Sequence, residues 1–349
     1  MRWHSVIFDL IRVVAAFAVL VDHAMGIFPL WPALGWLKQY GVVVFFLLSG
    51  FLISRTLHRR LDDPNSTFVD YAIDRWSRIY SGFLPAIIFV CVIDYIATSG
   101  TSGVFRETVE RYTAPLFFAN LFMLQAPSVA MTFGSASPFW TVAIEFWIYM
   151  FIGLIAFARR DGLSLSSTVA IILTGIIPVQ SLTENYMILV PWLLGAGAER
   201  LLVTGIPRKL FAAAGAGALA YLTWRTWHHL PVYSNSSYVA AAMAFTGIVA
   251  AAERIQLGAT VASWFASWSY SLYLLHHSIL LLIAWAIGAN LRSFGMVTSL
   301  LIAGLIATST LLIAIAFAAL TEVHHKRLAS SIKTILPGRR APWTAPVGD

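Results

Sequence analysis

Ten apolar segments, each long enough to cross a bilayer, constrain the fold of this chain more than any other feature. A helix rises 1.5 Å per residue, so about 20 apolar residues cross the roughly 30 Å of hydrocarbon. Only 11% of the 349 residues are charged, against about a quarter in soluble domains. The sequence therefore predicts an all-α integral membrane protein with about ten transmembrane helices, at 6–28, 40–56, 77–98, 138–158, 164–182, 186–203, 209–226, 237–255, 262–288 and 295–320.

One further apolar stretch, 113–125, is too short to cross a bilayer comfortably. We interpret it as an interfacial or re-entrant segment whose two flanks stay on one side of the membrane. Residues 1–325 are predicted to form a single transmembrane domain, and 326–349 a short basic cytoplasmic tail. The first apolar run contains charged residues and lacks a small-residue cleavage site, so we expect it to remain as a helix.

The basic residues indicate the orientation of the chain, because Lys and Arg are enriched on the cytoplasmic side of membrane proteins. With the N-terminus inside, seventeen of the 23 basic residues fall in cytoplasmic segments, five fall outside, and Arg12 lies in the membrane. This distribution predicts that both termini are cytoplasmic, which agrees with an even number of spans. No basic run with interleaved aromatic residues occurs, so we expect no nucleic-acid partner.

The first apolar segment, residues 8–23, contains four ionisable residues, Asp9, Arg12, Asp22 and His23. Ionisable side chains inside a bilayer are costly and mark functional sites by default. Arg12 and His23 are eleven positions apart, which places them on one helical face and about 16 Å apart along the axis. A cation near one surface and an imidazole deep in the span suit a substrate with a phosphorylated handle and a reactive end. The alternative is that neighbouring helices simply satisfy these polar residues.

Two later segments indicate a phosphate site and a close helix contact. Arg75 and Arg78 are three positions apart at the mouth of the third span, hence on one helical face. Planar guanidiniums match phosphate and pyrophosphate groups. The alternative interpretation of this pair is positive-inside anchoring. Ser49 and Gly50, in the second span, are small residues of the kind that lets two helices approach closely.

Further ionisable residues lie in the fourth, ninth and last segments. Glu145 is about seven residues from the outer end of the fourth span, where it needs a cation, a proton or a polar substrate. His276 and His277 point about 100° apart on a helix, so we do not expect both to face one site. Glu322 is interpreted as pairing with the bases that follow it, at the cytoplasmic surface. The single cysteine, Cys91, excludes an internal disulfide and makes thiol chemistry unexpected.

Five short motifs occur in order between residues 5 and 322. They are Asp9-Leu-Ile-Arg12 with His23 after ten intervening residues, FFLLSGFL at 45–52, RWSRI at 75–79, PFWTVAIE at 138–145 and SYSLYLLH at 269–276. Together they resemble the acyltransferase-3 family of integral membrane acyltransferases. That family moves acetyl or other short acyl groups from cytoplasmic acyl-CoA to sugars, lipids or antibiotics, often on cell-surface polysaccharides.

The chain departs from the family pattern in three places. Ile79 is followed by YSGFLP rather than by an early proline and aromatic residue, so we expect a differently shaped mouth for the third span. Phe146 stands where a second acid often follows the first, which leaves Glu145 as a single carboxylate. Because the tail is short, we expect no esterase-like domain of the kind that larger relatives carry. We therefore expect the membrane domain to complete the transfer itself.

The resemblance implies an acyl-CoA-dependent O-acyltransferase of the bacterial inner membrane that needs no metal. The transferred group is expected to be acetyl, and the acceptor a hydroxyl of an exopolysaccharide, O-antigen or other glycan, free or lipid-linked. An imidazole exchanges a proton near neutral pH, so His23 suits either removal of the hydroxyl proton or acylation, with Asp22 or Glu145 orienting it. Direct transfer and an acyl-histidine relay both fit these residues. The donor is expected to contact Arg12, Ser49, Arg75 and Arg78.

Two other classes of protein share these features. A polytopic transporter or flippase of a polysaccharide precursor or small solute also has many spans with buried acids and histidines. The cytoplasmic arginine pair, aligned with the helix of Arg12 and His23, favours the acyltransferase, since a sugar carrier has no evident need for it. A structural subunit of a polysaccharide assembly complex is the third interpretation. It predicts that His23→Ala leaves the cell-surface product unchanged.

Overall fold

Every regular element that the structure describes is helical. The computed structural model describes residues 5–28, 34–98, 106–127, 129–183, 186–252, 259–291 and 295–335. A 3₁₀ turn, Glu322–His324, joins the last two helices. In chain order the α-helices are α1 (Ser5–Ile27), α2 (Trp36–Leu61), α3 (Phe68–Thr98), α4 (Arg106–Arg111), α5 (Ala114–Leu121), α6 (Phe139–Asp161), α7 (Leu165–Gln180), α8 (Leu189–Leu202), α9 (Arg208–Trp227), α10 (Asn235–Ala251), α11 (Ala259–Ile287), α12 (Met296–Leu320) and α13 (His325–Ile335).

Each of the ten predicted apolar segments coincides with one helix, from α1 to α3 and from α6 to α12. Within the described ranges, α2, α3, α6, α11 and α12 are long and apolar enough to cross a membrane, and α7 and α10 are shorter apolar helices. The all-α class is therefore confirmed, and the chain is a multi-pass membrane protein. The number of crossings and the cytoplasmic placement of both termini stay predictions.

Helix α3 is longer than the apolar segment that predicted it. It begins at residue 68 rather than 77, so Arg75, like Arg78, lies within the helix. The polar early turns are stabilised by ion pairs, because the Asp74 carboxylate contacts the Arg60 guanidinium and lies 2.6 Å from Lys333 Nζ. Hydropathy alone places the start of such a helix too late.

The predicted basic tail starts as helix α13, which packs against α3. The ion pair between Lys333 and Asp74 joins these two helices. Residues 336–349 of the predicted tail lie outside the described residues.

The short apolar stretch 113–125 contains the two-turn helix α5, with a proline in its first turn. Buried Asn120 at its end binds the segment that follows. Its Nδ2 donates to the carbonyl oxygens of Leu116 at 2.8 Å and Met131 at 3.0 Å, and its Oδ1 accepts from the Phe133 N–H at 3.0 Å. The helix therefore fixes the irregular chain before α6, and its predicted re-entrant position is left as a prediction.

Five helices surround the centre of the bundle. Helix α1 lies between α2 and α11, α11 also packs on α3 and α12, and α6 packs on α2, α3 and α7. On the outside, α8 packs on α2, and α10 packs on both α8 and α9. Lipid tails are as apolar as these helix surfaces, so close packing and hydrogen bonds hold helices together more than the hydrophobic effect does.

Helices α2 and α8 approach each other at two glycines. A Cβ atom on Gly50 would stand 1.9 Å from the Trp192 carbonyl oxygen, and one on Gly195 would stand 2.0 Å from the Leu47 carbonyl oxygen. The expectation that Gly50 permits a close helix contact is confirmed. The same contact brings the Trp192 indole within hydrogen-bonding distance of Ser49, with 3.2 Å between Nε1 and Oγ.

We expect Gly50→Ala to destabilise the protein, because the added methyl group has no room beside the backbone of α8. Overpacking of this kind costs about 1–3 kcal/mol. Gly197→Ala is the matched control, since nothing lies within 4 Å of its Cβ position. Thermal unfolding in detergent should show a lower Tm for Gly50→Ala and no loss for Gly197→Ala. Equal Tm values for both variants would contradict the close approach.

Candidate active site

A cavity of about 150 Å³ lies at the centre of the bundle, between α1, α2, α3, α6 and α11. We call it the arginine cavity, because Arg12, Arg75 and Arg78 line it. Apolar side chains of α2 form much of the remaining wall. Five of the seven predicted site residues are brought together here, namely Arg12, Ser49, Arg75, Arg78 and Glu145.

The three arginines differ in their partners. Arg12 Nη1 lies 3.5 Å from Asp9 Oδ1, a loose contact within one helix. Arg78 Nη1 donates to Glu322 Oε1 at 2.7 Å. Arg75 Nε is buried and has no hydrogen-bond partner in the described part of the chain. A buried donor without a partner costs about 1–3 kcal/mol, so Arg75 gains most from an anion in the cavity.

Glu322 is buried at the start of the 3₁₀ turn, where only 2% of its surface is exposed. Its Oε1 accepts from Arg78, and its Oε2 accepts from the Ser271 N–H at 3.2 Å and the Ser271 hydroxyl at 3.0 Å. The prediction that Glu322 pairs with neighbouring bases at the surface is therefore wrong. A carboxylate this buried needs charge-assisted bonds, and α3 and α11 supply them.

A chain of hydrogen bonds holds Glu145. Trp192 Nε1 donates to Ser49 Oγ at 3.2 Å, and Ser49 Oγ lies 2.9 Å from the Tyr149 hydroxyl. Tyr149 in turn donates to Glu145 Oε1 at 2.5 Å. The Tyr149 hydroxyl has one hydrogen and donates it to Glu145, so Ser49 is the donor to Tyr149. Ser49 therefore acts on Glu145 through Tyr149.

Three histidines converge beyond the arginine cavity, where α1 packs on α11. His23 Nδ1 and His276 Nε2 are 2.9 Å apart, and their rings, inclined by 26°, have centroids 5.1 Å apart. The His277 ring lies edge-on to His23 at a centroid distance of 5.2 Å. The expectation that consecutive histidines do not share a site is therefore wrong. The two side chains leave the helix about 100° apart, but the His23 ring lies between them. These three residues form the histidine cluster.

The histidine cluster is bonded to the chain that precedes α6. His277 Nδ1 donates to the Ser135 carbonyl oxygen at 2.7 Å, and the Ser135 N–H donates to Asp94 Oδ2 at 2.8 Å. Ser135 Oγ also donates to Ser278 Oγ at 2.6 Å. The sequence-based prediction did not include Asp94, although it is an acid inside an apolar segment, which is the feature that marked Glu145.

Asp22 is completely buried, but its carboxylate serves the connection between α1 and α2. Its Oδ1 accepts from the Gly35 N–H at 2.7 Å, and its Oδ2 lies 3.5 Å from Lys38 Nζ. Among the described residues, the hydrogen-bond partner of His23 is His276. The geometry therefore does not support the prediction that Asp22 or Glu145 orients His23.

Tyr273 stands between the arginine cavity and the histidine cluster. It lines the cavity, and its hydroxyl lies 2.6 Å from Thr141 Oγ1. Its ring centroid is 5.2 Å from that of Phe45 and 6.0 Å from that of His276. His276 follows Tyr273 by three residues, or about 4.5 Å of rise. The cavity and the cluster are therefore neighbours along α11.

A cavity lined by three arginines that adjoins a cluster of imidazoles suits a substrate with an anionic handle and a reactive end. The comparison with known families gives the class of the protein. The family model described as "Acyltransferase domain" matches residues 6–319, nearly the whole chain. The chain belongs to the acyltransferase-3 family of integral membrane acyltransferases.

Two curated relatives are similar to part of the chain. An "O-acetyl transferase" of Shigella phage Sf6 is 29% identical over 165 residues, which cover 44% of this chain and 47% of the relative. "Nodulation protein 10" of Rhizobium leguminosarum bv. viciae is 27% identical over 166 residues, covering 41% of this chain and 42% of the relative. The chain thus spans less than half the length of either. No solved structure matches it significantly.

Because Arg78 and Glu322 form an ion pair, we expect the effects of their substitutions on thermal unfolding to be strongly non-additive. Arg78→Ala leaves a buried carboxylate without its cation, which costs about 3–5 kcal/mol when a buried pair is broken from one side. The double variant Arg78→Ala with Glu322→Gln removes that charge and should recover part of the lost Tm. Thermal unfolding of the two single variants and the double variant measures the coupling. Strictly additive losses of Tm would contradict the pairing.

Proposed function

We propose that this protein is an acyl-CoA-dependent O-acyltransferase that moves an acetyl group to a hydroxyl of a glycan acceptor, such as an exopolysaccharide or O-antigen sugar. It would work in a bacterial inner membrane with both termini in the cytoplasm. The observation that carries the proposal is the Nε atom of Arg75, which is buried in a residue that lines the arginine cavity and has no hydrogen-bond partner in the described residues. Arginine binds phosphate through charge-assisted and often bidentate hydrogen bonds.

We expect acyl-CoA to bind the arginine cavity in one orientation. The phosphates of acyl-CoA would meet Arg75 and the loosely paired Arg12, while Arg78 contributes less because Glu322 already neutralises it. The uncharged pantetheine arm would then follow the apolar wall past Tyr273. The thioester reaches the histidine cluster at the far end of this path. The eleven-residue spacing of the first helix, about 16 Å, sets the distance between handle and reactive end.

The chemistry that we propose begins at the His23 imidazole. His23 takes the proton from the acceptor hydroxyl, and the hydroxyl oxygen attacks the thioester carbonyl carbon. The carbon–sulfur bond then breaks, and the departing CoA thiolate receives the proton from the His23 imidazolium. In the relay version the imidazole nitrogen attacks the thioester and CoA leaves as the thiolate; the acceptor hydroxyl then attacks the acylated imidazole, frees the nitrogen and gives its proton to the thiolate. Both versions need an unprotonated ring nitrogen on His23.

The comparisons support acetyl transfer as the reaction. The chain's family is one of acyltransferases, and one relative carries the name O-acetyl transferase. This favours acyl transfer over the transporter or flippase that the sequence also allowed. Coenzyme A distinguishes the two classes, since it should protect the purified transferase against thermal unfolding. A carrier should respond to its solute and not to coenzyme A.

We expect His23→Ala to abolish acyl transfer while coenzyme A binding stays near the wild-type level. General acid–base catalysis contributes about 10²- to 10⁴-fold, and covalent catalysis by the same imidazole would be lost as well. Turnover is measured by transfer of labelled acetyl groups, and binding by thermal protection with coenzyme A. His228→Ala, at an exposed histidine after α9, is the control and should retain turnover. A loss of coenzyme A affinity as large as the loss of turnover would contradict the assigned role.

We expect Arg75→Gln to raise the apparent KM for acetyl-CoA by about 10- to 150-fold, because a hydrogen bond to a charged group is worth about 1.5–3 kcal/mol. The kcat should change less, since the contact exists in both the ground and the transition state. Arg75→Lys should restore only part of the affinity, because lysine keeps the charge without the planar fork. Arg75 is a cleaner test than Arg78, whose removal also leaves Glu322 unpaired.

The matched control for this measurement is Arg159→Gln. Arg159 is an exposed arginine at the end of α6 and does not line the arginine cavity. The KM of this variant for acetyl-CoA should therefore stay near the wild-type value. The titration is made in proteoliposomes with acetyl-CoA supplied on the side that carries the termini. A wild-type KM for Arg75→Gln, or turnover only with donor on the opposite side, would contradict the placement of the donor.

A further inference from the structure

Both ring nitrogens of His276 have defined neighbours. Its Nδ1 lies 3.0 Å from the Leu272 carbonyl oxygen and 2.9 Å from that of Tyr273. Carbonyl oxygens only accept hydrogen bonds, so Nδ1 must carry a proton. The His276 side chain is buried, and its hydrogen-bond partners in the described chain include no carboxylate. A charged imidazolium there would be costly, so His276 is neutral and its Nε2 has a free lone pair.

The state of His276 dictates the state of His23. Nε2 of His276 lies 2.9 Å from Nδ1 of His23, and two facing lone pairs at that distance would repel each other. His23 Nδ1 therefore carries the proton and donates it to His276. A neutral imidazole has one N–H group, so His23 Nε2 has a lone pair that is ready to accept a proton or to attack a carbonyl.

We propose that His276 is a positioning residue that fixes His23 in the Nδ1–H tautomer and so presents Nε2 as the reacting nitrogen. The proposal deepens the proposed function, because it assumes that His23 performs the chemistry described above. It follows the general arrangement in which a third group orients a catalytic base. Here the orienting group is a neutral imidazole anchored by the backbone of α11, and no carboxylate is needed.

The proton balance of the reaction agrees with this assignment. When His23 Nε2 takes the acceptor proton, the imidazolium keeps its Nδ1–H bond to His276 Nε2. No proton has to pass on to His276, since its Nδ1–H remains bonded to the carbonyl oxygens of its own helix. The same proton then leaves from Nε2 to the CoA thiolate. His276 therefore ends the cycle in the state in which it began.

The tautomer can be observed without any activity measurement. The full chain is labelled with ¹⁵N-histidine and placed in nanodiscs, and the His23 signals are assigned from their loss in His23→Ala. The proposal predicts a protonated Nδ1 and an unprotonated Nε2 on His23 in the unmodified protein. In His276→Leu the His23 ring should lose this preference, and in His276→Gln it should keep it, because the amide oxygen can accept from Nδ1–H.

Kinetics supply the second readout. His276→Leu should lower kcat by about 100-fold or more, while the KM for acetyl-CoA and the thermal protection by coenzyme A stay near wild type. His276→Gln should recover at least about tenfold of that loss. The control His228→Leu, at the exposed histidine after α9, should behave like the wild type.

Two results would overturn the proposal. One is a His23 ring protonated on Nε2 in the unmodified protein. The other is a His276→Leu variant that keeps both the tautomer and the wild-type kcat. A failure of the proposed function looks different, because the unmodified protein would then transfer no acetyl group, or His23→Ala would retain the transfer, while the spectrum of the unmodified protein still shows the Nδ1–H tautomer.

Discussion

Buried ionisable side chains in this bundle must find their partners within the protein, because the lipid-facing interior of a membrane offers no water. The pair of Arg78 and Glu322 therefore joins α3 to the turn after α12, and the contact between His23 and His276 joins α1 to α11. Arg75 departs from this rule within the described residues, since its buried Nε lacks a partner. The unpartnered Nε of Arg75 is therefore the place where the proposed anionic donor would gain a hydrogen bond.

Two helices determine the depth of the proposed reaction. Tyr270, Tyr273 and His276 are spaced by three residues on α11, so each step rises about 4.5 Å and turns by about 60°, and they lead from the wall of the arginine cavity to the histidine cluster. Helix α1 packs along α11 and places Arg12 and His23 eleven residues apart on its own face. The contact between α1 and α11 therefore fixes how far the arginine cavity lies from the histidine cluster along the helices.

Hydropathy and charge predicted the helices and singled out five of the residues that line the arginine cavity, because both signals are local to the chain. They could not predict the pairs, since Arg78 and Glu322 are 244 residues apart and His23 and His276 are 253 apart. The prediction that two consecutive histidines do not face one site was wrong, because the angle between two side chains does not show where a third residue lies. Asp94 was within reach of the same rule that marked other buried acids, and only its partners required the structure.

A structure of the protein in nanodiscs with a thioether analogue of acetyl-CoA tests the link between the arginine cavity and the histidine cluster. Such an analogue keeps the phosphates and the acyl group but cannot be cleaved. The proposed donor path predicts the pyrophosphate against Arg75 and the thioether sulfur beside His23, on the side of Nε2. Phosphates bound away from Arg75, or an acyl end that does not pass Tyr273 to reach His23, would contradict it.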